Sequence, residues 1–382
     1  MLKPADRAVT TMFVAHDHLG VRSIVCATPE STVISKIQEE PGLWWHTIPL
    51  KDDCAKIKAE LDGVKIRSMY REGERGHDKH YWPRPMPASS YPRIIEIFTK
   101  PAPFPRIKRM KPLVLNGVGM RALSACFSNY CSKISAHYAG LPDLNYGDQQ
   151  TNSNGTLWLH FILDKGEQIS EIWNWENIIR GKGIVFRTNK GRIWTCSRQP
   201  MRGGSTPWSA FNPTRWDHLA DLPPGEPTTI YLEESWTSIT RLALHSEAPV
   251  QGVKEPPLET VTFEEGPDNK KPGYFNHLDG AHCSSAPLAG LATITPCWGK
   301  TLGHAREQEE GAWHTPGLIL RYEDGRARVL GQVRLDSLGQ PYDVTTCGGV
   351  SLRYVWEKAM LENVQLGKLE IMGGCGCRGM GV

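Results

Sequence analysis

Short runs that alternate apolar and polar residues, or are apolar throughout, recur at 118–127, 184–187, 239–244, 317–321 and 350–355. A period of two over so few residues predicts β-strands. Each run meets a turn signal within a few residues. Thr188-Asn189-Lys190-Gly191 and Glu323-Asp324-Gly325 each stand between two such runs, which predicts hairpins. Helical periodicity is scarce: 53–61 and 356–362 are the candidate helices, and neither carries a strong cap.

The runs form a weak internal repeat. One element, a small or polar lead-in followed by an alternating strand, occurs at 61–66, 115–120, 288–293 and 347–352. A second, glycine then strand, turn and strand, occurs at 183–192 and 317–326, with 20–25 as a degenerate copy. One small sheet cannot bury its apolar face alone, whereas copies packed around an axis bury those faces and leave only short edges. The expectation is an all-β chain of radially repeated antiparallel four-stranded sheets, a β-propeller. A single compact domain over 1–382 is expected, with N-terminal repeats and a long basic Pro-rich loop at 1–112, central repeats at 113–246, and C-terminal repeats with a Gly- and Cys-rich tail at 247–382. Three stretches interrupt the repeat, at 74–111, 200–228 and 247–287, and loops of that length in an all-β body point to function.

Two resemblances sharpen the picture. Leu163-Asp164-Lys165-Gly166-Glu167-Gln168-Ile169, followed by Phe186-Arg187-Thr188-Asn189-Lys190-Gly191-Arg192, resembles the signature of jacalin-type lectin repeats. There a GE-x-I strand precedes an F-x-T-N-x-G-R hairpin. That resemblance implies a jacalin-like β-prism as the alternative architecture and glycan binding as an alternative function. The C-terminal Gly-rich loop ending in Asp that the family's sugar site also uses has no clear equivalent here. The stretch 317–321, Leu330-Gly331-Gln332-Val333-Arg334-Leu335-Asp336 and Ser284-Ser285-Ala286-Pro287-Leu288 are similar to a fungal secondary-metabolite cluster family. That family includes the hetero-Diels–Alderases of tropolonic sesquiterpenoid biosynthesis. The likeness implies an enzyme, a pericyclase joining an o-quinone-methide tropolone to a humulene-type alkene without a redox cofactor, and it carries over no catalytic residue. Many relatives of this look carry an upstream F-box, which is missing here, so a substrate-recognition domain of F-box type is the third reading.

Composition narrows the chemistry. The 37 glycines and 28 prolines in 382 residues favour turns over long helices. A formal net charge of +3 forces no polybasic surface, so nucleic acid is not an expected partner. No apolar run approaches the ~18 residues of a membrane span, and no basic n-region precedes an apolar h-region near Met1, so neither a membrane nor a signal peptide is expected. The compartment and the oligomeric state stay open. No GxGxxG after a strand, GxxxxGK[ST], GxSxG or HExxH occurs, and no cofactor is expected. Ten cysteines allow several disulfide pairings but form no pair of CxxC knuckles, so structural zinc is not expected. His16-Asp17-His18 and His77-Asp78-Lys79-His80 come nearest to a metal site, with His16 and His18 on one face if that segment is a strand. No third ligand is in view, and no metal is expected.

Aromatic residues are the richest signal, with 13 tryptophans, several beside His or Arg. Their ordinary role is to fill wedges between sheets with the indole N–H on a backbone acceptor. Their functional role would be to wall a pocket for a flat apolar small molecule, with a few polar groups fixing it. On that reading Trp44, Trp45, His46, Tyr81, Trp82 and Trp313 bind the substrate from loops at one end of the body. His277 or His314 supplies the acid–base or hydrogen-bonding group, with His46 and His282 as further candidates.

Overall fold

A computed structural model describes residues 9–28, 33–50, 56–73, 80–87, 90–97, 108–127, 131–141, 146, 157–177, 181–196, 215–234, 238–246, 254–257, 284–300, 313–345, 350–354 and 369–373, the backbone alone at 35, 177, 181, 300, 313, 314, 350–354 and 369–373. The strands are β1 (Thr11–Asp17), β2 (Gly20–Ala27), β3 (Trp44–Pro49), β4 (Ile57–Leu61), β5 (Ile66–Arg71), β6 (His80–Tyr81), β7 (Arg93–Glu96), β8 (Lys108–Leu115), β9 (Met120–Phe127), β10 (Cys131–Tyr138), β11 (Leu157–Ile162) and β12 (Ile169–Asn177). They continue as β13 (Gly181–Thr188), β14 (Ile193–Thr195), β15 (Arg215–Asp221), β16 (Thr228–Glu234), β17 (Ile239–Leu244), β18 (Leu291–Lys300), β19 (Trp313–Tyr322), β20 (Ala327–Gly331), β21 (Tyr342–Asp343), β22 (Val350–Tyr354) and β23 (Leu369–Gly373). Among the described residues the only helices are single 3-10 turns at Ile34–Lys36 and Leu335–Ser337, so the fold is all-β.

The chain forms two compact units. Unit 1 holds Met1–Leu113, Thr229–Ser235 and Ile239–Ala248, and unit 2 holds Val114–Thr228, Trp236–Ser238 and Pro249–Val382. Residues 229–235 and 239–248 belong to the first unit although they follow a long stretch of the second. Sheets of two, three, four and five strands occur, where a uniform four was expected. Described pairings are antiparallel except that of β6 with β8, which is parallel.

Unit 1 contains the sheet β2-β1-β3, the hairpin β4-β5 and the sheet β6-β8-β16-β17-β7. Period two divides β1 between two cores. Phe13 and Ala15 pack with Ala27 and Trp45 on one face, and Met12 and Val14 pack with Ile48 on the other. The five-stranded sheet buries Trp82, Met86, Met110, Tyr231 and Ala243. Trp45 and Trp82 exchange both backbone hydrogen bonds at 2.7 Å, which joins the edge of the first sheet to the segment entering the second.

Unit 2 contains β10-β9-β11, β14-β13-β12-β15, β20-β19-β18-β21 and β22-β23. Asn116 stands at φ 56°, in the left-handed region that Asn tolerates better than other side chains. Its Nδ2 donates to the Ile169 carbonyl at 2.8 Å and its Oδ1 accepts the Ile169 N–H at 2.8 Å, so one side chain completes a β-type pair with β12. Trp158 packs with Cys126 and Tyr146, and the Val333 N–H donates to the Trp158 carbonyl at 3.0 Å.

The predicted hairpins at 188–191 and 323–325 form with one geometry. Thr188 and Tyr322 each donate N–H to the carbonyl four residues on, at 2.8 and 3.0 Å, and each accepts from the N–H three residues on, at 2.9 and 3.0 Å. Two expectations fail. The candidate helix at 53–61 is strand β4 from Ile57, because the Asp62 side chain accepts the N–H groups of Val64 and Lys65 and closes a tight turn into β5. The stretches 74–111 and 200–228 carry strands β6, β7, β8 and β15 instead of being loops throughout, because each finds its ladder partner elsewhere in the fold. The candidate helix at 356–362 and the stretch 258–283 lie outside the described residues.

Candidate functional site

Unit 1 contains an open cleft of about 650 Å³ against one face of β2-β1-β3. Its apolar side is Val25, Ile37, Pro41, Leu43 and Trp45, and its polar side is Asp17, His18, Arg22, Ser23 and Glu40. The local sequence builds this wall directly. Phe13, Ala15 and Trp45 share a face by strand alternation, and Ile34, Ile37 and Leu43 from the following segment pack against that face. The segment stands off at Glu40–Leu43, where the Leu43 N–H donates to the Glu40 carbonyl at 3.1 Å.

The polar side is organised by the turn from β1 to β2. Asp17 Oδ1 accepts the N–H groups of Leu19 at 2.6 Å and Gly20 at 3.1 Å, an Asx-type turn. Asp17 Oδ2 accepts Arg22 Nε at 2.5 Å. Partial loss of water pushes the Asp17 carboxyl up, but the Arg22 contact and the two backbone N–H groups outweigh it and hold the group below its ordinary value. Gly20 is required here: it has φ +131°, and a Cβ would lie 2.5 Å from the Ile66 carbonyl oxygen.

The opposite face of the same sheet carries three rings. His16, His46 and Tyr81 have centroids 4.8 to 5.3 Å apart, and His46 Nε2 donates to the Met69 carbonyl at 3.0 Å, which sets its tautomer. Burial pushes the Tyr81 phenol up against the opposing charge of Arg109.

The sequence-predicted site residues divide as follows. Trp44, Trp45, His46, Tyr81 and Trp82 do come together in unit 1, but from strands and a strand edge instead of loops. Trp45, His46, Tyr81 and Trp82 are buried. Of the five, Trp45 alone lines the cleft. Trp82 lies against Tyr231 and Tyr91 inside the core, and Arg109 sits 5.7 Å above the Trp44 ring. The indole nitrogens of Trp45 and Trp82 are buried without a hydrogen-bond partner, against the expectation of a backbone acceptor. Trp313 and His314 open strand β19 of unit 2 instead of a loop. His277, His282 and the 375–377 cysteine pair lie outside the described residues. His16 and His18 do not share a face: His16 is buried in β1, and His18 belongs to the turn that lines the cleft. Among the described residues no group of three His, Cys, Asp or Glu is placed to hold a metal, and Cys26, Cys196 and Cys297 are free thiols.

No protein-family model matches the chain, and no curated protein matches it.

The lectin-like signature has a structural account. The Glu167 carboxylate accepts Thr188 Oγ1 at 2.7 Å, Arg192 Nη1 at 2.8 Å and the Asp164 N–H at 2.8 Å. Asn189 Oδ1 accepts the Gln168 N–H at 3.0 Å. Arg328 grips Asp164 with two hydrogen bonds at 2.9 and 3.1 Å. Glu167 thus binds Thr188 and Arg192, Asn189 binds the backbone of Gly166 and Gln168, and together they fix the β13–β14 hairpin to the start of β12. Sequence reasoning missed Asp17, Arg22 and Glu40. An Asp followed two and three residues on by Leu19 and Gly20, between two strands, is the Asx-turn signal that could have found the first two.

Proposed function

We propose that the chain is a cofactor-independent cyclase that joins an o-quinone-methide tropolone to a humulene-type terpene by an intermolecular hetero-Diels–Alder reaction in the cleft beside Trp45. One C–C and one C–O bond form and no atom leaves, so the protein need supply only position and polarisation. Holding two partners in a reactive pose contributes several kcal/mol. A hydrogen-bond donor on the heterodiene carbonyl lowers the barrier further. The observation that carries the reading is a cleft of about 650 Å³ that sets Trp45 and aliphatic side chains beside Asp17, His18, Arg22, Ser23 and Glu40, a volume within the range of small-molecule sites. Arg22 and His18 are the donors on its polar side. The glycan-binding reading rests on a signature whose polar side chains are already bonded to one another.

The test incubates purified protein with a quinone-methide precursor and humulene-type alkenes. A faster reaction with one stereochemical outcome is expected. Arg22→Met, which removes the charged donor from the cleft lining, should slow it about 10-fold or more, the scale of one hydrogen bond to a charged group. A rate and a product distribution equal to the protein-free control would remove the reading.

A further inference from the structure

We infer that Cys131 and Cys196 are a disulfide pair: when the chain folds under oxidising conditions they join, and the bond ties the edge strand β10 of one sheet of unit 2 to the end of the edge strand β14 of another. The inference does not depend on the cyclase reading.

The two residues stand on faces that meet. Cys131 is opposite Phe127 and Phe127 is opposite Leu157, so the three point to one side of β10-β9-β11, and Phe161 joins them by alternation along β11. In the other sheet Trp194 is opposite Phe186. Cys196, two residues on, donates its N–H to the Ile184 carbonyl at 3.0 Å and shares their side. These sides are packed together. The Trp194 ring stacks on Phe161 and Phe186 with centroids 5.7 and 5.8 Å away, and Arg192 lies 4.3 Å over Phe161. Strand β14 therefore starts beside Phe161 and ends on Cys196, which is fully buried, and Cys131 is buried too. After burial itself, the charge of Cys131 pushes the Cys196 thiol up, which puts the two sulfurs within electrostatic reach inside one dry interface. The other described cysteines have other places. Cys126 faces the opposite side of β9 and packs with Tyr146 and Trp158, the Cys297 sulfur bonds the Arg334 backbone, and Cys26 belongs to unit 1.

The chemistry is thiol–disulfide exchange with a small-molecule disulfide such as oxidised glutathione. The Cys131 thiolate attacks it, forms a mixed disulfide and releases one glutathione thiol, and the Cys196 thiolate then displaces the second. One S–S bond of the oxidant breaks, one S–S bond forms in the chain, and the two cysteine protons end on the two released thiols. Only a thiolate attacks, and burial holds Cys196 in its thiol form, so the exchange belongs to folding, before the sheets close. The bond closes a loop of roughly 65 residues, long enough for a cross-link to restrict the unfolded chain strongly.

The test refolds the full chain from denaturant with oxidised and reduced glutathione and, in parallel, with excess dithiothreitol. Remaining thiols are blocked with iodoacetamide in denaturant, and the peptides are mapped by mass without reduction. The peptide holding Cys131 linked to the one holding Cys196 is expected from the glutathione sample alone. The thermal midpoint of that sample should exceed that of the reduced one by roughly 5 °C or more. Cys131→Ser and Cys196→Ser should each abolish the link and most of that difference, and leave the surviving cysteine alkylated. The wild-type map decides the pairing even where a variant does not fold. Alkylation of both cysteines in the glutathione sample, or linkage of either to a different cysteine, overturns the inference. Equal midpoints of the linked and the reduced chain overturn the tie.

Discussion

At Ser124 two imidazoles share one hydroxyl. Its Oγ lies 2.7 Å from His137 Nε2 and 2.7 Å from His160 Nδ1. A hydroxyl carries one proton, so it donates to one ring and accepts from the other. Burial, then the neighbouring charge of His137, hold His160 down to about 3. An unfolded histidine titrates near 6.5. Between these values the unfolded chain binds a proton that the native chain refuses, so this contribution to stability falls as pH drops through the window. The slope is at most ~1.4 kcal/mol per pH unit. Urea midpoints of wild type should therefore fall from pH 7 toward pH 4.5, and His160→Asn should flatten the dependence; an unchanged slope would refute the assignment. Glu167 is a second residue-scale case. Its side chain is fully buried against Arg192. Glu167→Ala leaves the guanidinium without its main partner and should cost about 3 kcal/mol in urea unfolding, with Glu167→Gln costing less. The GE-x-I and T-N-x-G-R residues were visible in the sequence, but their use was not. A motif shows which residues belong together, and only distances show that they spend their hydrogen bonds on one another.

At the scale of elements, alternation gave the strands and Gly-containing turns gave the hairpins, because both are set by residues within a few positions of each other. The missed strands share a cause. Strands β6, β7, β8 and β15 take their stability from neighbours distant in sequence: β7 pairs with β17 and β15 with β12. Local composition rich in Pro, Lys and Arg hides such strands. The β19–β20 hairpin makes a sharper prediction. Gly317 pairs with Gly331 across it, and a Cβ at Gly317 would run into the Gln332 carbonyl and approach the Leu330 carbonyl oxygen at 2.7 Å. Backbone cannot yield as a side chain can, so Gly317→Ala should destabilise by about 2 kcal/mol. A thermal midpoint equal to wild type would show that the strands separate freely there. Gly331 serves the same close backbone approach, because a Cβ there would run into the Pro316 carbonyl oxygen.

At the scale of the molecule, unit 1 is discontinuous in sequence. Its five-stranded sheet places β16 and β17 between β8 and β7, and those two central strands arrive more than a hundred residues after β8. A fragment of residues 1–113 lacks both. Its β7 amides should exchange without protection, and those of β8 beyond the short β6 pairing likewise, because their ladder partners β17 and β16 are absent. Slow exchange at those amides in the fragment would refute the dependence. The cleft, by contrast, draws its lining from the first 45 residues alone.

By itself the sequence determined what short-range rules control: an all-β chain, strands such as β9, β13, β17 and β19, and the two matched hairpins; it also offered Trp44, Trp45, His46, Tyr81, Trp82 and Trp313 as candidate rings. The tertiary structure decided which of those rings face a cavity. Strand pairing turned His46 and Tyr81 to one side of the β1 sheet, sank Trp82 into a second core, and left Trp45 beside a cleft whose polar groups come from a tight turn. Facing is a property of the register between strands far apart in the chain, and a shift of one residue would reverse it.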